Sequence, residues 1–139
     1  MVGGTCGGTL VGNTYTTNPV SGLCAVAATF VANTAKYVST TGNDSTGDGT
    51  IGKPWKTIGK GIAAMAGGDT LIVRNGIYSG KTNFITNVKN GTASRYTVIM
   101  AESPMDVRIQ STTQLLYYDN MLGLDGNYIK VDGFIFDMS

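Results

Sequence analysis

The stretch Tyr37 to Tyr78, YVSTTGNDSTGDGTIGKPWKTIGKGIAAMAGGDTLIVRNGIY, decides the fold. Tyr37-Val38-Ser39 is a short extended segment that enters a polar loop, TTGNDSTGDGTIGK, punctuated by Gly42, Gly47, Gly49 and Gly52. Pro54 stands where a first helical turn would start. Trp55, Ile58, Ile62 and Met65 follow at spacings of three, four and three, one apolar stripe along a helix from Pro54 to Ala66. Gly67-Gly68 stops the helix. Leu71-Ile72-Val73 is then a continuous apolar run, closed by an Asn75-Gly76 turn that sends Ile77-Tyr78 onto a second face. A stack of β-coils has an open apolar end that must be covered, and a single helix followed at once by a buried strand and a tight turn is suited to cover it.

Working outward, the same strand-and-turn rhythm continues. Tyr96 to Ala101 (YTVIMA) is the next run, Val107-Arg108-Ile109 another, and Tyr128 to Phe136 a last pair broken by a turn at Gly133. Taking the runs at Leu71, Tyr96 and Tyr128 as equivalent puts successive main strands roughly 25 to 30 residues apart, one loop-decorated coil each. The expectation is an all-β chain: the N-terminal coils of a right-handed parallel β-helix with one N-terminal capping α-helix, over residues 33–139. Because Ser139 follows a strand almost directly, the last coil is expected to be uncapped, so that the chain is truncated and open to self-association there.

Composition bounds the function. The 139 residues are 42% hydrophobic and 14% charged, which favours a folded chain, and a formal charge of +1 gives no electrostatic footprint for nucleic acid. Twenty glycines without a three-residue period suit a turn-dense β protein. There is no histidine, which removes His-based triads and the common zinc sites and leaves any catalysis to Asp, Glu, Lys, Arg or Tyr. No apolar run reaches the roughly 20 residues that span a bilayer, and the N-terminus has neither the basic nor the apolar part of a signal peptide. The Gly-rich loop before the helix departs from G-x-x-x-x-G-K-[ST], so it is not read as a nucleotide site.

Residues 1–32 read differently. Cys6 and Cys24 flank GGTLVGNTYTTNPVSGL, whose Thr, Val and Tyr content and Asn-Pro and Gly signals suggest a β-hairpin with the cysteines at its facing ends. A disulfide closing about 17 residues would stabilise the piece by roughly 3 kcal/mol; two unlinked buried thiols are the alternative. An oxidising-compartment feature without a signal peptide suggests a fragment of a longer secreted chain. CGGTLVGNTYTTNPVSGLCAVAATF resembles the last part of a small β repeat found in tandem in bacterial surface and secreted proteins, which makes residues 1–32 a partial hairpin from an upstream module, joined by a linker at Ala32 to Lys36.

The series YVSTTGND, GTIGKPWKTI, GGDTLIVRNGIY, GTASRYTVIMAESP and NYIKVDGFIF resembles the N-terminal part of right-handed parallel β-helix proteins of the pectate lyase-like superfamily, over about Lys36 to Met138. The resemblance implies a secreted or cell-surface protein and an acidic, uronate-containing polysaccharide as substrate or ligand. Lyases of that kind abstract the proton α to a uronate carboxylate, with Ca²⁺ or basic side chains neutralising the carboxylate. Their sites lie on the outer face of central coils, beyond the coils read here, so no catalytic residue carries over, no cofactor is assigned to this chain, and the piece by itself is expected to be inactive; Ca²⁺ belongs to the parent protein. The alternative parent is a non-catalytic adhesin or a structural β-helix stalk.

Several residues are ligand candidates. If Ile129 and Val131 point into the coil, alternation sends Lys130 and Asp132 outward, to contact a sugar acid or to form an ordinary charge pair. Arg74, at the end of the first main strand, has the same two readings. Asp44 and Asp48 offer carboxylates for a metal such as Ca²⁺, although they lack the EF-hand pattern and Asx-type turns explain them as well. Tyr117, Tyr118 and Tyr128 offer aromatic faces to a pyranose, or pack in core and loop.

Overall fold

The computed structural model describes residues 2–11, 14–28, 35–112 and 120–138. The chain divides into two compact units, Met1–Ala32 and Asn33–Ser139.

The first unit is antiparallel. Strand β1 (Val2–Gly4) pairs with β4 (Val26–Ala28), and between them β2 (Gly8–Val11) pairs with β3 (Thr14–Thr17) as a hairpin. Cys6 and Cys24 form a disulfide with Cα atoms 5.0 Å apart, where the two pairs meet. The Cys6 amide donates to the Ala25 carbonyl at 3.1 Å and the Tyr15 hydroxyl to the Cys6 carbonyl at 3.0 Å, so the bridge sits inside a hydrogen-bonded frame. Phe30 and residues 32–34 of the expected linker lie outside the described residues.

The second unit is a parallel β-solenoid of about 3 turns with a single short helix. Its elements are β5 (Ala35–Val38), α1 (Ile58–Ala64), β6 (Thr70–Val73), β7 (Gly76–Ser79), β8 (Thr97–Ala101), β9 (Val107–Gln110), β10 (Ile129–Asp132) and β11 (Phe134–Asp137). One sheet runs β10-β8-β6-β5 and a second runs β11-β9-β7, every neighbour parallel. A third side is marked by the parallel bridge between Ile85 and Leu122. The three runs taken as equivalent in the sequence are therefore the neighbours β6, β8 and β10.

Register stacks like on like inside the coil. Leu71, Ile99 and Val131 align across the first sheet, and Tyr78, Ile109 and Phe136 across the second. Burying each aliphatic side chain of this kind stabilises by about 1.5–3 kcal/mol, which is why the alternation holds its register against a one-residue slip. Polar groups drawn inside are satisfied. Thr97 Oγ1 accepts from the Gly68 amide at 2.7 Å, and Asn83 Oδ1 accepts from the Ile58 amide at 3.1 Å while its Nδ2 donates to the Ser79 carbonyl. Burial pushes the Tyr78 phenol up to about 12, and its hydroxyl donates to the Arg74 carbonyl at 2.8 Å.

The cap corrects one expectation. The helix does not begin at Pro54: Thr57 is the N-cap, its hydroxyl accepting from the Lys60 amide, and the helix covers only Ile58–Ala64 before Met65 closes it. Trp55 lies in extended backbone, bridging in parallel to Val38, with its indole Nε1 donating to the Gly47 carbonyl at 3.0 Å. The stripe itself is intact, since Trp55, Ile58, Ile62 and Met65 are all buried in the core. Two glycines permit the close fit. Gly61 lies so near Leu71 and Val38 that an added Cβ would meet their methyls at 2.8–2.9 Å. Gly49, at φ +79°, lies under the Trp55 ring, which an added Cβ would meet at 2.4 Å. Among the described residues, no helix is long and apolar enough to cross a membrane.

Candidate functional site

The first sheet shows one side to the coil interior and the other to solvent. On β10, Ile129 and Val131 are partly buried against the core, and Lys130 and Asp132 are exposed on the outer side. Register carries this outer side across the neighbouring strands: Lys130 aligns with Val98 and Thr70, and Asp132 with Met100, Ile72 and Tyr37. A half-buried apolar strip thus runs beside the two charges.

Lys130 Nζ lies 2.9 Å from Asp132 Oδ2, with the two side chains 60% and 54% exposed. Arg74, just beyond β6, places Nε 3.3 Å from Glu102 Oε1, one coil further along the stack. Both pairs are solvent-facing, so each contributes little to stability and each cation is accessible to a ligand. At the opposite end of the sheet Tyr96 and Tyr128 precede β8 and β10. Their rings are 5.8 Å apart and nearly perpendicular at 86°, and both residues are about half exposed. At 3.3 Å per residue the strand distance from Tyr96 to Glu102 is roughly 20 Å, long enough for an extended chain ligand to lie along it.

Structure and sequence agree on Lys130 and Asp132 as outward residues of β10, and Arg74 lies just beyond β6 with its side chain partly exposed. Tyr128 joins them. Tyr117 and Tyr118 lie outside the described residues. Tyr96 was not singled out from sequence as a ligand residue, although its position as the start of a run equivalent to the one at Tyr128 already puts the two rings side by side.

The loop carboxylates do something else. Asp48 Oδ1 accepts from the Thr50 amide at 2.9 Å and the Thr50 hydroxyl at 2.7 Å, closing an Asx turn. Asp44 Oδ1 accepts from the amides of Lys56 and Thr57 at 2.7 and 3.0 Å, and Oδ2 accepts from the Thr57 hydroxyl at 2.8 Å. Partial burial pushes the Asp44 carboxyl up, but the bonds from Thr57 and Lys56, with the Lys60 charge, outweigh it and hold the group below its ordinary value. The Thr50 bonds likewise hold Asp48 low. Among the described residues no group of three or more acidic, His or Cys side chains is placed to hold a metal ion, and both Asp44 oxygens and Asp48 Oδ1 accept hydrogen bonds within the loop and at the helix N-cap.

Other ion pairs tie coil to coil. Arg95 reaches back to Asp69 at 3.1 Å and to the Gly68 carbonyl at 2.9 Å, pinning the corner where helix becomes strand, and Arg108 meets Asp137 at 2.7 Å on the outside of the second sheet. Compared with known proteins, the chain matches no family model, no curated protein and no solved structure, so what stands of its resemblance to pectate lyase-like proteins is the parallel β-solenoid itself.

Proposed function

We propose that this chain is the carbohydrate-binding part of a secreted or cell-surface β-solenoid protein, and that the outer side of its four-stranded sheet holds an acidic polysaccharide. The observation that carries the reading is a pair of solvent-accessible cations, Lys130 on the outer side of β10 and Arg74 just beyond β6, with the half-buried outer residues of β8 lying between those two strands. Each cation is faced by a carboxylate that is itself exposed, so a uronate carboxylate can take the place of Asp132 or Glu102 while the displaced side chain is solvated by water. That favours reversible binding, and it suits a linear glycan whose carboxylates repeat along its length. The disulfide and the fold-level resemblance support an extracellular setting. A second reading, a non-catalytic stalk with no ligand, draws on the disulfide-held β unit that precedes the solenoid.

Titrating the protein with polygalacturonate and with a neutral glucan separates these readings. The expected result is preference for the acidic chain, weakening as salt is raised, and a loss of about tenfold in affinity in Lys130→Met, the scale of one charge-assisted hydrogen bond. Equal affinity for the neutral glucan would sink the acidic ligand, and no binding to either would leave the stalk. Release of unsaturated uronate, seen by its ultraviolet absorbance when pectin and Ca²⁺ are added, would replace binding with turnover.

A further inference from the structure

We infer that Tyr96 and Tyr128 form a stacking platform for a pyranose ring, and that Tyr128 occupies a strained backbone position because its ring is needed there. The inference rests on the carbohydrate-binding reading and adds to it the subsite that takes the face of the sugar.

Tyr128 has φ +57°, in the left-handed region that a bulky L side chain rarely adopts. The backbone around it is fixed by an earlier part of the stack. The Tyr128 carbonyl accepts from the Thr97 amide at 2.9 Å, the Asn127 carbonyl from the Gly91 amide at 3.1 Å, and the Asn127 amide donates to Asn90 Oδ1 at 2.9 Å. None of these bonds uses the side chain of residue 128. A turn of this shape is best served by Gly or Asn, and at Asn87, with φ +56°, the chain does use Asn. Sequence preference at residue 128 therefore runs against the local geometry, and local conflicts of this kind gather at functional positions.

The ring gives little back to the fold. Tyr128 is 46% exposed and its aromatic contact is with Tyr96, itself 49% exposed. Two rings set edge to face leave a flat apolar surface with a wall beside it, the shape that takes the C–H face of a sugar. Lys130 follows two residues along the same strand, on the outer side, where a uronate carboxylate on the stacked sugar would meet it.

The test uses Tyr128→Asn, with Met105→Asn as a control, since Met105 is the other bulky residue at positive φ (+70°) among the described residues and sits exposed in a turn away from the platform. Thermal unfolding and titration with an oligogalacturonide and a neutral β-glucan oligosaccharide are measured for each. Expected are a melting temperature for Tyr128→Asn no lower than that of the original protein, a small rise for Met105→Asn with unchanged affinity, and a tenfold or greater loss of affinity for Tyr128→Asn. A clear fall in melting temperature for Tyr128→Asn would make the ring structural and overturn the inference, as would undiminished binding. If the original protein takes both sugars equally and Tyr128→Asn loses both, the platform stands while the acidic-polysaccharide reading falls; if the original takes neither, both fall.

Discussion

Met1–Ala32 and Asn33–Ser139 are both assembled from short strands, yet they are held together by different means. In the first, Cys6 is buried, whereas Leu10, Val11, Val20, Leu23 and Val26 are all exposed. Two antiparallel pairs with so little to bury are marginal in water, and the covalent bridge to Cys24 supplies what packing does not. In the second, each strand buries alternate side chains under the next coil, the helix closes one end, and stability accumulates from neighbour to neighbour. The difference shows that strand content alone does not make a domain: the same residue types are stable when a parallel stack gives them an interior, and need a cross-link when it does not.

The largest expected effect strikes the core-held unit. Trp55→Asp puts a charge among Val38, Ile58 and their buried neighbours and removes the indole bond to Gly47, and it should destabilise the solenoid by about 3–5 kcal/mol, with a large drop in its melting temperature. An unmoved solenoid transition would mean that the cap is not what closes the coil. The converse experiment strikes the bridge. Reducing Cys6–Cys24, or replacing both with Ser, should cost the first unit roughly 3 kcal/mol and expose its amides to hydrogen exchange, while the melting of the solenoid stays where it was. A solenoid that melts earlier on reduction would erase the contrast between the two units.

Why some of this was legible in the sequence is itself a matter of range. Leu71-Ile72-Val73, the Asn75-Gly76 turn and the runs at Tyr96 and Tyr128 depend on contacts between a strand and its own turn, and these signals survive in one dimension. The stripe of Trp55, Ile58, Ile62 and Met65 identified the buried residues correctly and the helix boundary wrongly, because apolar spacing cannot distinguish a helical turn from a loop that dips one large ring into the core. Thr57 was the better start signal, as an N-cap hydroxyl immediately before Ile58. What the sequence did not reveal is what coil register alone creates: Asn83 capturing the Ile58 amide 25 residues earlier and Arg95 reaching back to Asp69. The outward Lys130 and Asp132 were legible because period-two alternation needs only the strand they stand on.

The smallest expected effect sharpens the comparison by asking whether the solenoid also has a part held by something other than packing. The loop before the helix is such a part: Asp44 gathers the amides of Lys56 and Thr57 and the Thr57 hydroxyl, and so joins the turn after Ser39 to the N-cap of α1. Its carboxyl lies below its ordinary value in the folded protein, so the charged form is favoured by folding. The contribution is therefore present above the unfolded value and is lost as pH falls through the folded one, which places its loss in the acid range below the ordinary carboxylate value of 3.8. Asp44→Asn keeps one acceptor oxygen and removes the charge. It should lower stability near neutral pH by about 1 kcal/mol or less, because the site is only partly buried and is screened by water, and it should flatten the acid limb of the stability curve. Chemical denaturation at neutral and acid pH measures both, and identical pH profiles for the two proteins would show that the loop is held by its backbone bonds to Trp55 and Pro54 instead.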